Sequence, residues 1–228
     1  MKSLIALIFM GLSLSLCAQE KVYYIKANQE ISEVMSFTDV YKYPGFVAGI
    51  VSFRDGRVSA AKLNYNYLQG EMDFITSSGD TLSLADEVDI KHVAIGKDTF
   101  YYAEGYHEQL ASFQTKKLTR RQFVELTDSK KLGAFNQPTY SGANTFGSYA
   151  NSRTTVKLVM KEDITLVRKT YYFIGDRNEF YPVNKKNIAR VFGKKEKEIS
   201  TYLDANQINF KKEEDLQALF RYLSTGGQ

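Results

Sequence analysis

The chain has 228 residues, 43% of them hydrophobic, and a formal net charge of +4, which is enough length and apolar content for one large packed domain. The balance of 30 basic and 26 acidic residues gives no concentrated basic face and argues against a nucleic-acid partner. One cysteine, Cys17, and two histidines, His92 and His107, leave no material for a disulfide framework or a structural zinc site.

Residues 1–18 have the grammar of a secretory signal peptide. Lys2 supplies a positive start, Leu4 to Leu16 is uncharged and largely apolar, and Ala18 is a small residue ahead of a cleavage point before Gln19. The run is too short for the roughly 20 residues of a spanning helix. Lipidation at Cys17 is the weaker reading, because Leu16 stands where a lipoprotein signal places a small residue. Removing Lys2 from the 30 basic residues leaves 29 against 26 acidic, a net charge of +3 for the remainder.

Val22 to Ile25 reads as a strand, and Tyr41 to Gly45 as a turn built on Pro44-Gly45. Val47 to Phe53 and Val58 to Ala60 flank Asp55-Gly56, which predicts a two-residue type I′ hairpin. The clearest pattern follows over Ala61 to Ala85. Ala61, Leu63, Tyr65 and Tyr67 alternate with polar residues, then Met72 and Phe74, then Leu82 and Leu84, with short Gly-bearing loops between the runs. This is an antiparallel meander. The apparent change of phase between Ala60 and Ala61 predicts a β-bulge there.

Val88 to Ile95, Thr99 to Ala103, Tyr106 to Phe113 and Phe123 to Thr127 are further strands, rich in aromatic and β-branched residues. Lys116, Lys117, Arg120, Arg121, Lys130 and Lys131, interspersed with Glu125 and Asp128, read as a solvated face. From Ser129 to Asn151 the apolar period is lost, which predicts a long flexible loop or disordered segment. Val156, Leu158 and Met160 resume the alternation. Ile164 to Ile174 is a long strand, and Gly175 to Asn178 turns it into Phe180 to Val183.

At Asn184, a plausible N-cap, the period changes from 2 to 3.6. Three helical stripes follow: Ile188, Val191 and Phe192; Ile199, Tyr202 and Leu203; Leu216, Leu219, Phe220 and Leu223. The last begins on Glu213, Glu214 and Asp215, where carboxylates favour the positive helix end. Each helix is too short to persist alone, so the segment is expected to dock on the sheet.

The stretch Tyr171 to Leu223 resembles the C-terminal part of an uncharacterised family of secreted proteins of Bacteroidota. The likeness lies in the aromatic strand, the NKKNI helix start, the Lys-rich link ending at Ile199 and the EEDL start of the last helix. GEMDFI and GDTLSLA, between Tyr65 and Ala85, resemble the meander of the same family. The resemblance implies export and a β-rich body with a helical tail. It implies no activity and no catalytic residues.

Catalytic patterns are sparse. His92 lies on the face of Val88, Ile90 and Ala94, where a half-buried, hydrogen-bonded role is expected. His107, beside Glu104 and Glu108, lacks the second histidine of a zinc-protease helix. There is no Gly-x-Ser-x-Gly elbow, and Ser141-Gly142 falls within the expected loop. No phosphate-binding glycine loop or dinucleotide fingerprint is present. Asp86-Glu87 and Glu213-Glu214 are the carboxylate pairs that a glycosidase reading could draw on.

The sequence therefore predicts an α+β protein with three parts: signal peptide 1–18, an antiparallel β-rich domain 19–183 of barrel-like or sandwich form containing the loop 129–151, and a helical segment 184–228 packed on it. The expected function is that of an exported, non-enzymatic binding or structural protein of the cell envelope, periplasmic or secreted. Its partner would be a protein or small molecule, with no cofactor, no metal, no nucleic acid and no transmembrane segment in the mature chain. The alternative is a carboxylate-dependent hydrolase of envelope or extracellular glycans. Intact mass of the exported protein tests the leader: the mass of a chain beginning at Gln19 is expected, whereas a diacylglyceryl adduct on Cys17 would show the lipoprotein route.

Overall fold

The computed structural model describes residues 20–132, 138–140, 160, 162–194 and 196–226, with backbone alone for 128–132 and 138–140. The expected leader, Ser141-Gly142, Val156 and Leu158 lie outside the described residues. The fold is α+β, a large antiparallel sheet with short helices, three of them at the C-terminal end.

In chain order the elements are β1 (Val22–Ile25), α1 (Ile31–Val34), α2 (Phe37–Val40), β2 (Val47–Phe53), β3 (Val58–Asn66), β4 (Glu71–Ile75) and β5 (Thr81–Ser83). Next come β6 (Ile90–Ile95), β7 (Asp98–Tyr102), β8 (Tyr106–Phe113), β9 (Lys116–Leu132), β10 (Pro138–Tyr140), β11 (Asp163–Asp176) and β12 (Glu179–Pro182). Helices α3 (Lys185–Phe192), α4 (Glu196–Asn206) and α5 (Glu213–Ser224) complete it. Two hairpin meanders, β2 to β5 and β6 to β9, are joined through the β2–β6 pair, and the strand order is β1-β11-β9-β8-β7-β6-β2-β3-β4-β5. β10 pairs with β9 and β12 with β11.

The sheet is rolled. The Val124 amide donates to the Tyr67 carbonyl at 2.8 Å and the Tyr65 hydroxyl donates to the Gln122 carbonyl at 2.8 Å. The β3–β4 turn thus meets β9 across the four strands that separate β3 from β9 in the sheet order. The enclosed face carries the first apolar core, with Leu63, Tyr65, Met72, Val93, Phe100 and Tyr106 from the meanders, and Ile25, Ile31 and Val40 from the N-terminal elements.

Several local expectations are corrected. No bulge occurs at Ala60-Ala61, where β2 pairs without interruption through Ile50↔Ala60 and Gly49↔Ala61. Val58 and Ala60 belong to the outer face, and Val58 is 66% exposed, so the phase never slips. The register shifts instead at Ser52/Phe53, Gln109/Ala111 and Thr165/Leu166. The Asp55-Gly56 hairpin has three loop residues: the Phe53 amide donates to the Arg57 carbonyl and the Gly56 amide back to the Phe53 carbonyl. Gly56 has φ of 93° while Asp55 stays out of the left-handed region, so the type I′ requirement of two positive φ values is not met. Gly45 likewise stays out of that region, and Tyr41 to Gly45 forms an irregular strap rather than a Pro-Gly turn.

Strand β6 starts at Ile90, because Glu87–Asp89 is a 3-10 turn that leaves Val88 71% exposed. The register shift beside it separates Ile90 from His92, which is half-buried. Strand pairing also reaches into the expected loop, since β9 continues through Leu132 and Pro138–Tyr140 pairs with it.

The outer face of β3 explains three buried polar side chains. The strap Tyr41 to Gly45 covers it, and Asn64 accepts from the Tyr43 amide and donates to the carbonyls of Tyr43 and Gly45. Asp73 accepts from Tyr41, Asn66 and Ser83 at 3.0, 2.9 and 2.8 Å, so its burial is matched by hydrogen bonds.

The C-terminal helices begin as their caps dictate. The Asn184 side chain accepts from the Asn187 amide at 2.8 Å, and α3 ends on Gly193 with φ of 64°. They bury Ile188, Ile199, Leu203, Leu216, Leu219 and Phe220 against Leu118 of β9 and Ile174 of β11, a second apolar core. Phe220 is 4% exposed and lies edge-on to Phe192 at 5.6 Å. Phe220→Ala is expected to lower stability by about 3–5 kcal/mol in a single unfolding transition seen alike by helical and sheet circular dichroism bands. Two transitions, with only the helical one shifted, would show that the helices fold apart from the sheet.

Candidate functional site

Leu118, Arg120 and Val124 share one face of β9; Leu118 belongs to the second apolar core and Val124 to the first. Arg120 therefore lies between the cores, where a charge needs partners. It has them. Its guanidinium donates twice to Glu108 of β8, both bonds 3.0 Å, and once to Glu213 in the first turn of α5 at 2.7 Å. Glu108 also accepts from Lys42 of the strap at 2.9 Å, and Lys42 stands 3.6 Å from Asp98 of β7. Asp98 accepts from the Tyr43 hydroxyl at 2.7 Å, and Gln217 donates to Glu213 at 3.1 Å. This ladder of three carboxylates and two cations joins the strap, three strands and α5. Burial opposes the charge on Arg120, but Glu108 and Glu213 outweigh it and push its affinity for the proton further up. Burial and Asp98 push the Tyr43 hydroxyl up.

A second polar cluster sits at the rim of the roll. Glu71 opens β4, and the β4–β5 register sets it level with the residues just before the 3-10 turn that carries Glu87. Tyr102 and Tyr106 flank the β7–β8 turn, their rings 5.2 Å apart, and Tyr65 lies 6.3 Å from Tyr106. Burial and the nearby charge of Glu71 raise the Glu87 pKa against the opposing pull of the Tyr102 and Tyr106 hydroxyls. Neither Glu71 nor Glu87 has a cation within 4 Å among the described residues.

The histidines occupy the opposite face. His107 is buried, stacked on Phe180 at 4.4 Å and edge-on to Phe173 at 4.6 Å, with ring nitrogens 3.3 Å from the Thr119 hydroxyl and 3.1 Å from the Ala103 carbonyl. Burial, helped by the charge of Arg121, pushes it down to about 3 although the Ala103 carbonyl pulls the other way. His92 lies 6.2 Å from Tyr101 and is pushed down by burial. Among the described residues no group of three or more His, Cys, Asp or Glu side chains is arranged to hold a metal.

The carboxylate pairs singled out in sequence are split by the fold. Glu213 is bound to Arg120, and the hydroxyls of Tyr102 and Tyr106 favour the charge on Glu87 while Glu71 repels it. The basic run from Lys116 is not a uniformly solvated face, since Arg120 turns inward. Glu108 and Arg120 were readable in principle: each stands in the inward phase of its strand, after Tyr106 and Leu118, with opposite charge on adjacent strands. Lys42 and Asp98 carry no such signal.

A small apolar cavity lies inside the second core, among Leu118, Ile174, Ile188, Leu216, Leu219 and Phe220. No helix among the described residues is long and apolar enough to cross a membrane, which leaves aside crossing by strands. No known protein family, curated protein or solved structure matches the chain.

Two predictions follow from these environments. Because the folded-state pKa of His107 lies below its unfolded value near 6.5, the unfolded chain takes up the proton first as pH falls. Its stabilising contribution is full above pH 6.5 and is lost on acidification toward pH 3. Between pH 6.5 and 4.5 this amounts to about 2–3 kcal/mol, measurable by urea unfolding, with His107 ring proton shifts unchanged over that range in the folded protein. Glu108→Ala strands Lys42 and Arg120 and is expected to cost about 3–5 kcal/mol, more than Glu213→Ala, by the same unfolding measurement.

Proposed function

We propose that the chain is an exported, non-catalytic protein of the cell envelope, periplasmic or secreted, that binds a small molecule or a protein on a rigid β scaffold. The observation that carries this reading is the ladder through Arg120. Its carboxylates are engaged in fixing strap, sheet and α5 to one another, an arrangement suited to holding a surface in place rather than to exchanging protons. The signal-like run over 1–18 and the resemblance to secreted Bacteroidota proteins support the location.

A hydrolase of envelope or extracellular glycans is the second reading, favoured by one observation. Glu87, with its proton affinity raised beside Glu71, has the character of a general acid next to a second carboxylate. Incubation of the purified mature protein with a panel of envelope glycans distinguishes the two. No saturable turnover is expected. Saturable hydrolysis abolished by Glu87→Gln would replace the binding reading with the hydrolase.

A further inference from the structure

The near balance of charge over the whole chain conceals one local excess. Between Lys185 and Glu198 the sequence holds six Lys or Arg and two Glu, so this stretch alone carries +4, the formal net charge of the entire chain. Most of the excess falls on α3. Ile188, Ala189 and Val191 are buried in the second core, whereas Lys185, Lys186 and Arg190 are exposed and Lys194, just past the Gly193 cap, is half-buried. Among the described residues none of these four cations has a carboxylate within 4 Å. The two acidic residues of the stretch, Glu196 and Glu198, belong to α4, and Glu179 of β12 is taken up by the Tyr181 hydroxyl. The placement also runs against the field of the helix. α4 and α5 begin with two and three carboxylates in the first turn, as a positive helix end favours, but α3 has none there and begins on two lysines. Packing does not impose those lysines, because both side chains point to solvent. Half-buried rings lie beneath the charges: Arg190 stands 4.3 Å over Tyr181, and Lys116 of β9, which faces Asp176 across the strand pair, stands 5.8 Å over Phe192.

We propose that the exposed face of α3, with Lys185, Lys186, Arg190 and Lys194, is a docking surface for the anionic headgroups of a lipid bilayer. Clusters of four or more Lys or Arg on a helix face are attracted to such a surface by additive charge, without a fixed geometry for each contact. Three of the four are lysines, point charges on flexible stems that follow mobile phosphates; a single defined carboxylate is better gripped by the planar fork of arginine. Rings such as Tyr181, apolar in body and polar at the tip, suit the headgroup level. A nucleic acid or an acidic polysaccharide is a chain, and a channel of cations and stacking rings holds a chain better than one outward helix face does. The surface shares no residue with the Arg120 ladder, and the electrostatic argument does not depend on the binding reading above.

The test is co-sedimentation of the full-length mature protein with phosphatidylcholine vesicles, with and without phosphatidylglycerol, at low and high salt. Alginate and duplex DNA serve as competing arms. Binding to the phosphatidylglycerol vesicles alone is expected, with release at high salt. Lys186→Gln with Arg190→Gln should weaken it about fivefold for each charge removed, while Lys62→Gln with Lys91→Gln, exposed lysines on β3 and β6, should leave it unchanged. Lys185→Glu with Lys186→Glu separates docking from folding: carboxylates favour the positive helix end, so this variant should melt no lower than the wild type and yet lose the vesicles. Absence of sedimentation with phosphatidylglycerol at low salt overturns the proposal, as does equal binding to phosphatidylcholine alone. So does unchanged vesicle binding in either α3 variant, or loss of binding equally severe in the Lys62 and Lys91 control. Preference for alginate or DNA over the vesicles would replace the bilayer with a polyanionic chain.

Discussion

A buried guanidinium at the junction of two apolar cores is the constraint on which the rest of the architecture turns. Arg120 shares a face of β9 with Leu118 and Val124, and its position obliges neighbouring elements to supply carboxylates. Glu108 meets it from the adjacent strand with two parallel bonds, the strongest geometry available to that pair, and Glu213 meets it from α5. Removal of any one partner leaves a charge in a medium that solvates it poorly. The helical segment is therefore located on the sheet by a polar contact of fixed geometry as well as by apolar area, which is non-directional.

The same logic extends toward the N-terminal side. Lys42 continues the ladder from Glu108 to Asp98, and the strap that carries Lys42 also covers the outer side of β3, where Asn64 and Asp73 saturate its polar groups. One short irregular segment thus ties the inside of the roll to its outside. Rolling brings the β3–β4 turn onto β9, where the Tyr67 carbonyl takes up the Val124 amide of a strand edge that β8 has stopped pairing. Blunting an edge in this way removes a template for pairing with other chains.

The two polar clusters differ in how their carboxylates are paired. In the ladder, opposite charges alternate and the hydrogen bonds are made. At the rim, burial and the charge of Glu71 raise the proton affinity of Glu87, and among the described residues neither carboxylate has a cation within 4 Å.

The antiparallel meander, its inward residues from Leu63 to Met72, the capped start of α3 and the acidic start of α5 were legible in the sequence, because each depends on spacing along a few residues and on local capping chemistry. The reading failed where distance along the chain hides proximity in space. Val58 and Ala60 looked like a slipped inward phase, yet among the described residues they lie exposed on the outer face. Asn64, Asn66 and Asp73 looked outward and polar, yet the strap buries them. Glu108 and Arg120 carried a faint signal as opposite charges in inward phase, but Lys42 and Glu213 come to them from 66 and 93 positions away in the chain, and Asp98 meets Lys42 across the interval from 42 to 98. The tertiary structure decided the roll of the sheet, the seat of the helices and the meeting of Lys42, Glu108, Arg120 and Glu213, since an alternation of two says which face a side chain takes and nothing about what that face will meet.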